Sequence, residues 1–293
     1  MNIKGIFATR SCGAQFLLLF VCLIAGASIA LACSSLLGFS ANAGAQSVST
    51  MRQLQAVSSL GSFLLPALAM AFFCSSNMSK YLSLRPVGTR AAWPLTLLCM
   101  LLLSPLISLL TFANESLQLP EALAPLERWM QAQEALAKQL TDQLLASDRI
   151  DILLANLLVV AVIAALTEEL FFRGALQRIL GKALSNPHAI IWTAAALFSA
   201  FHMQFYGFLP RMILGAYFGY LLLWSRSIWL PVFAHFINNA TAVVVLSNSR
   251  LKEINILTGS IASDELLPYA LLAVCSTGLF VWANDLLRRK LLQ

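Results

Sequence analysis

The chain has 293 residues, of which 59% are hydrophobic and only 11% charged, with a formal net charge of +6. A soluble chain of this length carries about a quarter charged residues, so a solvated surface cannot be built and the chain belongs in a membrane. The basic residues lie between apolar runs and in the terminal "RRK", where topology signals sit, and this excludes nucleic acid as a partner.

Eight stretches are long or apolar enough to span a bilayer, at about 14–39, 57–77, 92–112, 151–177, 188–206, 209–225, 228–247 and 266–287. The expected fold is therefore all-α, a polytopic membrane helix bundle of about eight transmembrane helices. Lys4 and Arg10 precede the first run, whose end "ALACSS" resembles a cleavage site. Its 26 residues exceed the about 7–15 of a signal-peptide core, so an uncleaved first helix is expected. The stretch "KYLSLRPVGTRAAW" reads as an interfacial turn before the third span. Residues 113–150 are the one sizeable polar connection, with Pro120 and Pro125 opening a pattern in which Leu136, Leu140 and Leu144 recur every fourth residue near Trp129 and Met130. An amphipathic interfacial helix fits, acting as a surface connector or as a lid. The fifth and sixth spans meet so closely at "QFYGFLP" that they form a hairpin. Three units follow: 1–150 with the amphipathic segment 113–150, a helical core over 151–247, and a C-terminal loop and last span over 248–293.

The six cysteines (Cys12, Cys22, Cys33, Cys74, Cys99, Cys275) lie in or beside apolar runs without CxxC or Cys-His spacing, and read as small buried hydrophobes. With the N-terminus in the cytoplasm, twelve of the nineteen basic residues fall on the cytoplasmic side: Lys4, Arg10, Lys80, Arg85, Arg90, Arg173, Arg178, Lys182, Arg226, Arg288, Arg289 and Lys290. The opposite side takes Arg52, Arg128, Lys138, Arg149, Arg211, Arg250 and Lys252 with ten of the thirteen acids. This bias places both termini in the cytoplasm.

Three polar insertions break the apolar pattern. "TEELFFRG" holds Glu168, Glu169 and Arg173 after the run "LLANLLVVAVIAAL", at a depth where each charge costs at least a few kcal/mol. Glu169 and Arg173 are four residues apart in the favourable order and can pair on one helix face. Glu168 is rotated by about 100° and lacks that partner. "FSAFH" sets Phe198 and His202 at i, i+4, and "HFINN" sets His235 with Asn238 and Asn239 at i+3 and i+4. The remaining histidine, His188, falls in the loop "SNPHA" at the surface. Counting from the helix ends, Glu168 lies roughly 18 Å deep, His202 roughly 21 Å along its helix and His235 roughly 10 Å in, so a shared polar chamber is allowed.

A glutamate, two imidazoles and a carboxamide suit hydrolysis, with Glu168 taking a proton from water and His or Asn stabilising an oxyanion. Glu168, His202 and His235 could instead hold a divalent metal such as zinc with one open position, although HExxH and GxSxG are both absent. A proton-coupled transporter could use the same groups, but would show internal repeats and matching helix breaks, and none is visible.

"EELFFRG", "FSAFH" and "HFINN" resemble, in order and on separate spans, the EExxxR, FxxxH and HxxxN motifs of the CPBP intramembrane protease family, the CAAX protease and bacteriocin-processing family that includes the type II CAAX prenyl endopeptidases. The likeness covers about residues 151–247. It implies an intramembrane endopeptidase acting on a membrane-associated protein or peptide, with CAAX-type C-terminal processing as one form of that activity. Carried over, Glu168 activates water, Glu169 and Arg173 support it, and His202, His235 and Asn239 shape the site and stabilise the oxyanion. Phe198 completes FxxxH, and Asn238 is a neighbour of Asn239. Metal-dependent and metal-free glutamate mechanisms are both argued for members. The implied partners are membrane lipid and the substrate, and the implied location is the cytoplasmic membrane of a bacterium. The alternative is a non-catalytic bacteriocin-immunity or scaffold protein of the same fold.

Overall fold

The computed structural model describes residues 3–38, 47–254, 258, 261 and 264–293, and these contain helices and no strand. The helices are α1 (Cys12–Leu36), α2 (Val48–Cys74), the short α3 (Met78–Tyr81), α4 (Ala92–Glu115), α5 (Ala124–Leu145), α6 (Ile150–Leu180), α7 (Pro187–Phe201), α8 (Phe208–Ser225), α9 (Trp229–Ser247) and α10 (Leu266–Leu292). Seven of the described helices are long and apolar enough to cross a membrane, namely α1, α2, α4, α6, α8, α9 and α10. The protein is thus an integral, multi-pass membrane protein.

The fifth expected span, 188–206, is the exception. α7 has 15 residues, about 22 Å at 1.5 Å per residue, against a hydrocarbon core of about 30 Å. The helix stops because Met203 takes a left-handed φ of 54°, which turns the chain out of the helical path. His202, expected inside the span, is therefore the residue that caps its end. The second span also differs, starting at Val48 rather than near 57, because the Ser47 hydroxyl accepts from the Thr50 amide and starts a helix through polar residues.

Apolar side chains divide into two main cores. One joins α1, α2, α6 and α7 around Met70, Phe171, Phe172, Leu176 and Ile179; the other joins α4, α8, α9 and α10 around Cys99, Phe218, Leu221, Leu230 and Leu287. Helices approach closely where small residues meet. At the α1–α2 crossing Gly26 lies against the backbone of Gly61, and a Cβ on Gly61 would stand 2.5 Å from the Cβ of Ala30. The outer faces are apolar: Leu17, Phe20 and Leu31 on α1 are 64%, 58% and 66% exposed, as lipid contact requires.

α6 is the irregular element. Two π-helical stretches, Leu157–Ile163 and Leu170–Leu176, flank the α-helical turns Ala164–Glu169. Such stretches widen the helix and leave backbone groups in need of outside partners; the Val160 carbonyl takes the Asn239 amide of α9 at 3.0 Å.

One end of the bundle is basic. Lys182 Nζ donates to the Ala8 and Arg10 carbonyls at 2.9 and 3.3 Å, Arg178 to that of Lys80 at 3.2 Å, and Arg85 to that of Ser225 at 2.9 Å. The expected interfacial turn here is packed more deeply than an interfacial anchor. Tyr81 and Leu82 are buried, Ser83 has a φ of 56°, and its carbonyl receives the Ile228 amide. Burial pushes the Tyr81 phenol upward, so it stays neutral under the Arg178 guanidinium 4.9 Å from its ring. At the opposite end Asp148 accepts from the Ser249 amide and Asn156 holds the Leu144 carbonyl.

The segment 113–150 forms α5. Leu144 and Leu145 bury against Val243, whereas Leu136 and Leu140 remain 49% and 42% exposed, so of the three leucines of the stripe only Leu144 is buried. All six cysteines are free; Cys74 and Cys99 are buried, but Cys33 and Cys275 are exposed. The reading of all six as buried residues fails because the outside of this bundle is itself an apolar environment. His188 is exposed as expected, but it lies in the first turn of α7 and not in a loop, and it shares a 2.7 Å hydrogen bond with the Tyr220 hydroxyl.

Candidate active site

The seam between the two apolar cores carries the charges of α6. Arg173 is 1% exposed and Glu169 fully buried. The i, i+4 spacing brings Arg173 Nη1 to Glu169 Oε1 at 2.9 Å, and Nη2 donates to the Gly215 carbonyl at 2.8 Å. The guanidinium also faces the Phe198 and Phe218 rings, 4.5 and 5.4 Å from their centroids. A buried ion pair needs such additional contacts to offset its desolvation. Gly215 makes this approach possible, since a Cβ there would stand 3.0 Å from Phe198 Cδ1 and 3.1 Å from Arg173 Nη2. Arg173, assigned to the cytoplasmic side on sequence, is thus inside the protein, where Glu169 fixes it.

Glu169 Oε1 serves a second partner, His235 Nδ1 on α9, at 2.8 Å. A carboxylate already held by Arg173 acts as acceptor, so Nδ1 of His235 carries the hydrogen. The ring is held flat against Phe218, with centroids 5.1 Å apart and planes 17° apart. His202 is fixed in the same sense by a different group: its Nδ1 lies 2.9 Å from the Phe198 carbonyl, and a carbonyl only accepts. Phe198 also packs edge-on against both imidazoles, at 5.0 and 5.8 Å. With both Nδ1 atoms committed as donors, each ring turns its Nε2 inward and presents a lone pair there whenever it carries one hydrogen.

Both lone pairs face Glu168. Its Oε2 is 3.9 Å from Nε2 of His202 and 3.9 Å from Nε2 of His235, and it is buried without a hydrogen-bond partner. These separations are too long for direct hydrogen bonds and short enough for one water to bridge. Exposure rises outward, from His235 at 5% to Glu168 at 12% and His202 at 30%, so the cluster opens on the His202 side.

The structure thus brings together Glu168, His202 and His235 around one oxygen, with Glu169, Arg173 and Phe198 behind them. Asn239 stands apart: one of its amide hydrogens is committed to the Val160 carbonyl, and its Oδ1 accepts from Asn238 Nδ2 at 3.2 Å. Asn238 lines a separate cavity of about 280 Å³ with Ser104, Ser108, Thr111 and Thr241. The residues that could hold zinc are a suitable donor set chemically, two imidazole nitrogens and a carboxylate. Two such ligands at a tetrahedral zinc lie about 3.3 Å apart, closer than the 3.9 Å found, and no cage of three His, Cys, Asp or Glu groups occurs among the described residues.

Three contributors were not read from the sequence. Gly215 and Phe218 lie in "GAYFG", a small-xxx-small pattern that marks close helix packing and could have drawn attention to them. Arg211 was assigned to the surface opposite the basic end. It is half-buried at the start of α8, donating to the Gln204 carbonyl at 3.2 Å and to Gln204 Oε1 at 3.0 Å. Its charge acts on Glu168 and on His202.

Fold and site together define a polytopic helical membrane protein with a carboxylate–imidazole cluster built inside the bundle. Residues 150–241, which contain every part of that cluster, match the family model described as type II CAAX prenyl endopeptidase Rce1-like, a match that supports the resemblance to the CPBP, or CAAX protease, family over that stretch. That match supports CAAX-type intramembrane protease activity only in general terms. Neither a curated protein nor a solved structure matches the chain.

Proposed function

We propose that the protein is an intramembrane endopeptidase in which Glu168 activates the attacking water. The observation that carries this reading is the unpartnered Glu168 Oε2 facing two Nε2 lone pairs at 3.9 Å each. A water at that point donates to Glu168 and to one imidazole, which leaves an oxygen lone pair free to attack. As it attacks the scissile carbonyl carbon, its proton passes to Glu168. The carbonyl oxygen becomes an oxyanion. Glu168 then gives that proton to the leaving nitrogen, directly or relayed through Nε2 of an imidazole, as the C–N bond breaks and the oxyanion collapses to a carboxyl group. Glu169 and Arg173 act through His235, since Glu169 fixes its tautomer and ring orientation. Asn239 steadies the α6–α9 contact through Val160. No step passes through a metal, because the donor atoms are spaced too widely for one.

The substrate class is a membrane-associated protein or peptide, and CAAX-type C-terminal processing fits the family described above. The basic end of the bundle, where Lys182 meets Ala8 and Arg10, supports a cytoplasmic N-terminus; a cytoplasmic C-terminus and a bacterial cytoplasmic membrane are part of the same proposal.

The test compares peptide termini in membranes of cells expressing the native protein or Glu168→Gln at equal abundance. Termini formed only with Glu168 intact are expected, and they identify substrates directly. An unchanged set of termini, with both proteins folded, would instead leave a non-catalytic scaffold.

A further inference from the structure

A cation held within a membrane span needs compensation, and the site has two arginines compensated in different ways. Arg173 has a carboxylate, a carbonyl and aromatic faces around it. Arg211 has only the neutral carbonyl and amide oxygens of Gln204. It forms no ion pair among the described residues. Glu134 of α5 is reached only through Gln204, whose Nε2 donates to Glu134 Oε1 at 3.4 Å. Glu168 is the other carboxylate within range of its charge. Of the five N–H donors a guanidinium carries, the Gln204 contacts use those of Nη1 and Nη2 on one side only. The group lies over Gly207, where a Cβ would stand 2.9 Å from Nη2. Glycine thus lets it rest on the loop that follows His202, the exposed side of the cluster.

An arginine with spare donors, no direct ion pair among the described residues and a place beside a hydrolytic cluster suits a planar, bidentate anion. We infer that Arg211 binds a carboxylate of the peptide substrate within a few residues of the scissile bond, either the terminal carboxylate or an Asp or Glu side chain. This rests on the hydrolytic reading above for the identity of the ligand as a substrate, and on the geometry of Arg211 for its charge. The anion neutralises Arg211 on binding and thereby sets the register of the peptide against Glu168.

The test uses the full chain in phosphatidylcholine nanodiscs and three fluorescent peptides built on a farnesylated cysteine. The first ends in a free carboxylate, the second in an amide, and the third is the amide with one added glutamate. Binding is measured on Glu168→Gln, and cleavage on the native protein. The acid is expected to bind about tenfold or more tightly than the amide, as the loss of one charge-assisted pair implies. Arg211→Gln should abolish that preference and Arg211→Lys keep part of it. Recovery of affinity by the third peptide assigns the site to side-chain carboxylates as well; no recovery assigns it to the terminus. Equal binding of acid and amide, or a preference that survives Arg211→Gln, overturns the inference. So does Arg211-dependent binding of phosphatidylglycerol with no discrimination among peptides, which would make the ligand a lipid phosphate. An acid preference without Glu168-dependent cleavage would sink the hydrolytic reading alone, whereas cleavage without an acid preference would sink only the role of Arg211.

Discussion

Glu169 is the residue on which the site turns, because one oxygen accepts from both Arg173 and His235. Removing Arg173 leaves a buried charge with a single partner. Arg173→Leu is therefore expected to destabilise the protein by about 3–5 kcal/mol, measured as a loss of Tm in detergent. Arg173→Lys keeps the charge but not the fork that reaches Glu169 and Gly215 together, so it should fold and lose activity. Gly215→Ala presses a methyl into Phe198 and Arg173, for which about 1–3 kcal/mol is expected. A normal Tm in that variant would show that the aromatic ring yields. The 3.9 Å spacings at Glu168 make a further prediction: proteolysis should persist after exhaustive chelation. Loss of activity on chelation, with recovery on adding zinc, would mean that the three side chains close on a metal. The pairing of Glu169 with Arg173 was legible from their spacing alone. The tautomers of the two histidines were not, since each depends on an acceptor from the backbone or from another helix.

At the scale of elements, α7 matters because it is short. Its end, rather than its middle, presents His202, and the loop 203–207 must then be held in place. Asn114 of α4 does this by donating to the Phe205 and Tyr206 carbonyls at 2.9 and 2.6 Å, while Ser199 holds the Phe208 carbonyl at 2.7 Å. Trp129 of α5 packs on the Phe205 ring with centroids 5.3 Å apart. Asn114→Leu removes two buried hydrogen bonds, about 1–3 kcal/mol in all. Its effect is expected mainly on kcat, because the loop carries His202 and not the bulk of either core. An unchanged kcat with lowered Tm would make Asn114 a purely structural residue. The run "FSAFH" is apolar up to His202, so nothing in its hydropathy says where the helix ends. That is decided by the left-handed turn at Met203 and the contacts that trap it. The π-helical stretches of α6 are equally invisible to a hydrophobic pattern, which reports which residues are apolar and not how the backbone winds.

For the whole molecule, sidedness is the property that composition predicts and packing organises. Residues 8–10, 80–85, 178–182 and 225–228 meet at one end through the Lys182, Arg178, Arg85 and Ser83 contacts. In intact cells, an impermeant maleimide is expected to spare Lys182→Cys and to label Lys138→Cys. The test uses a background with the six native cysteines replaced, because Cys12 opens α1 and Cys33 is exposed near its other end. The reverse pattern would invert the orientation and leave the fold unchanged.

The sequence by itself determined that the chain is a helical membrane protein, where its apolar runs lie, and which few polar residues interrupt them. The reason is physical: in hydrocarbon every backbone polar group must be satisfied within its own segment, so an apolar run has one outcome, and a charge within it stands out. Which of those polar groups meet is a matter of tertiary structure. Glu168, His202 and His235 come from three helices separated in the chain. Their convergence depends on a helix that stops early, a glycine that admits an arginine, and a carboxylate shared between two helices, of which only the glycine, in "GAYFG", leaves a pattern in the sequence.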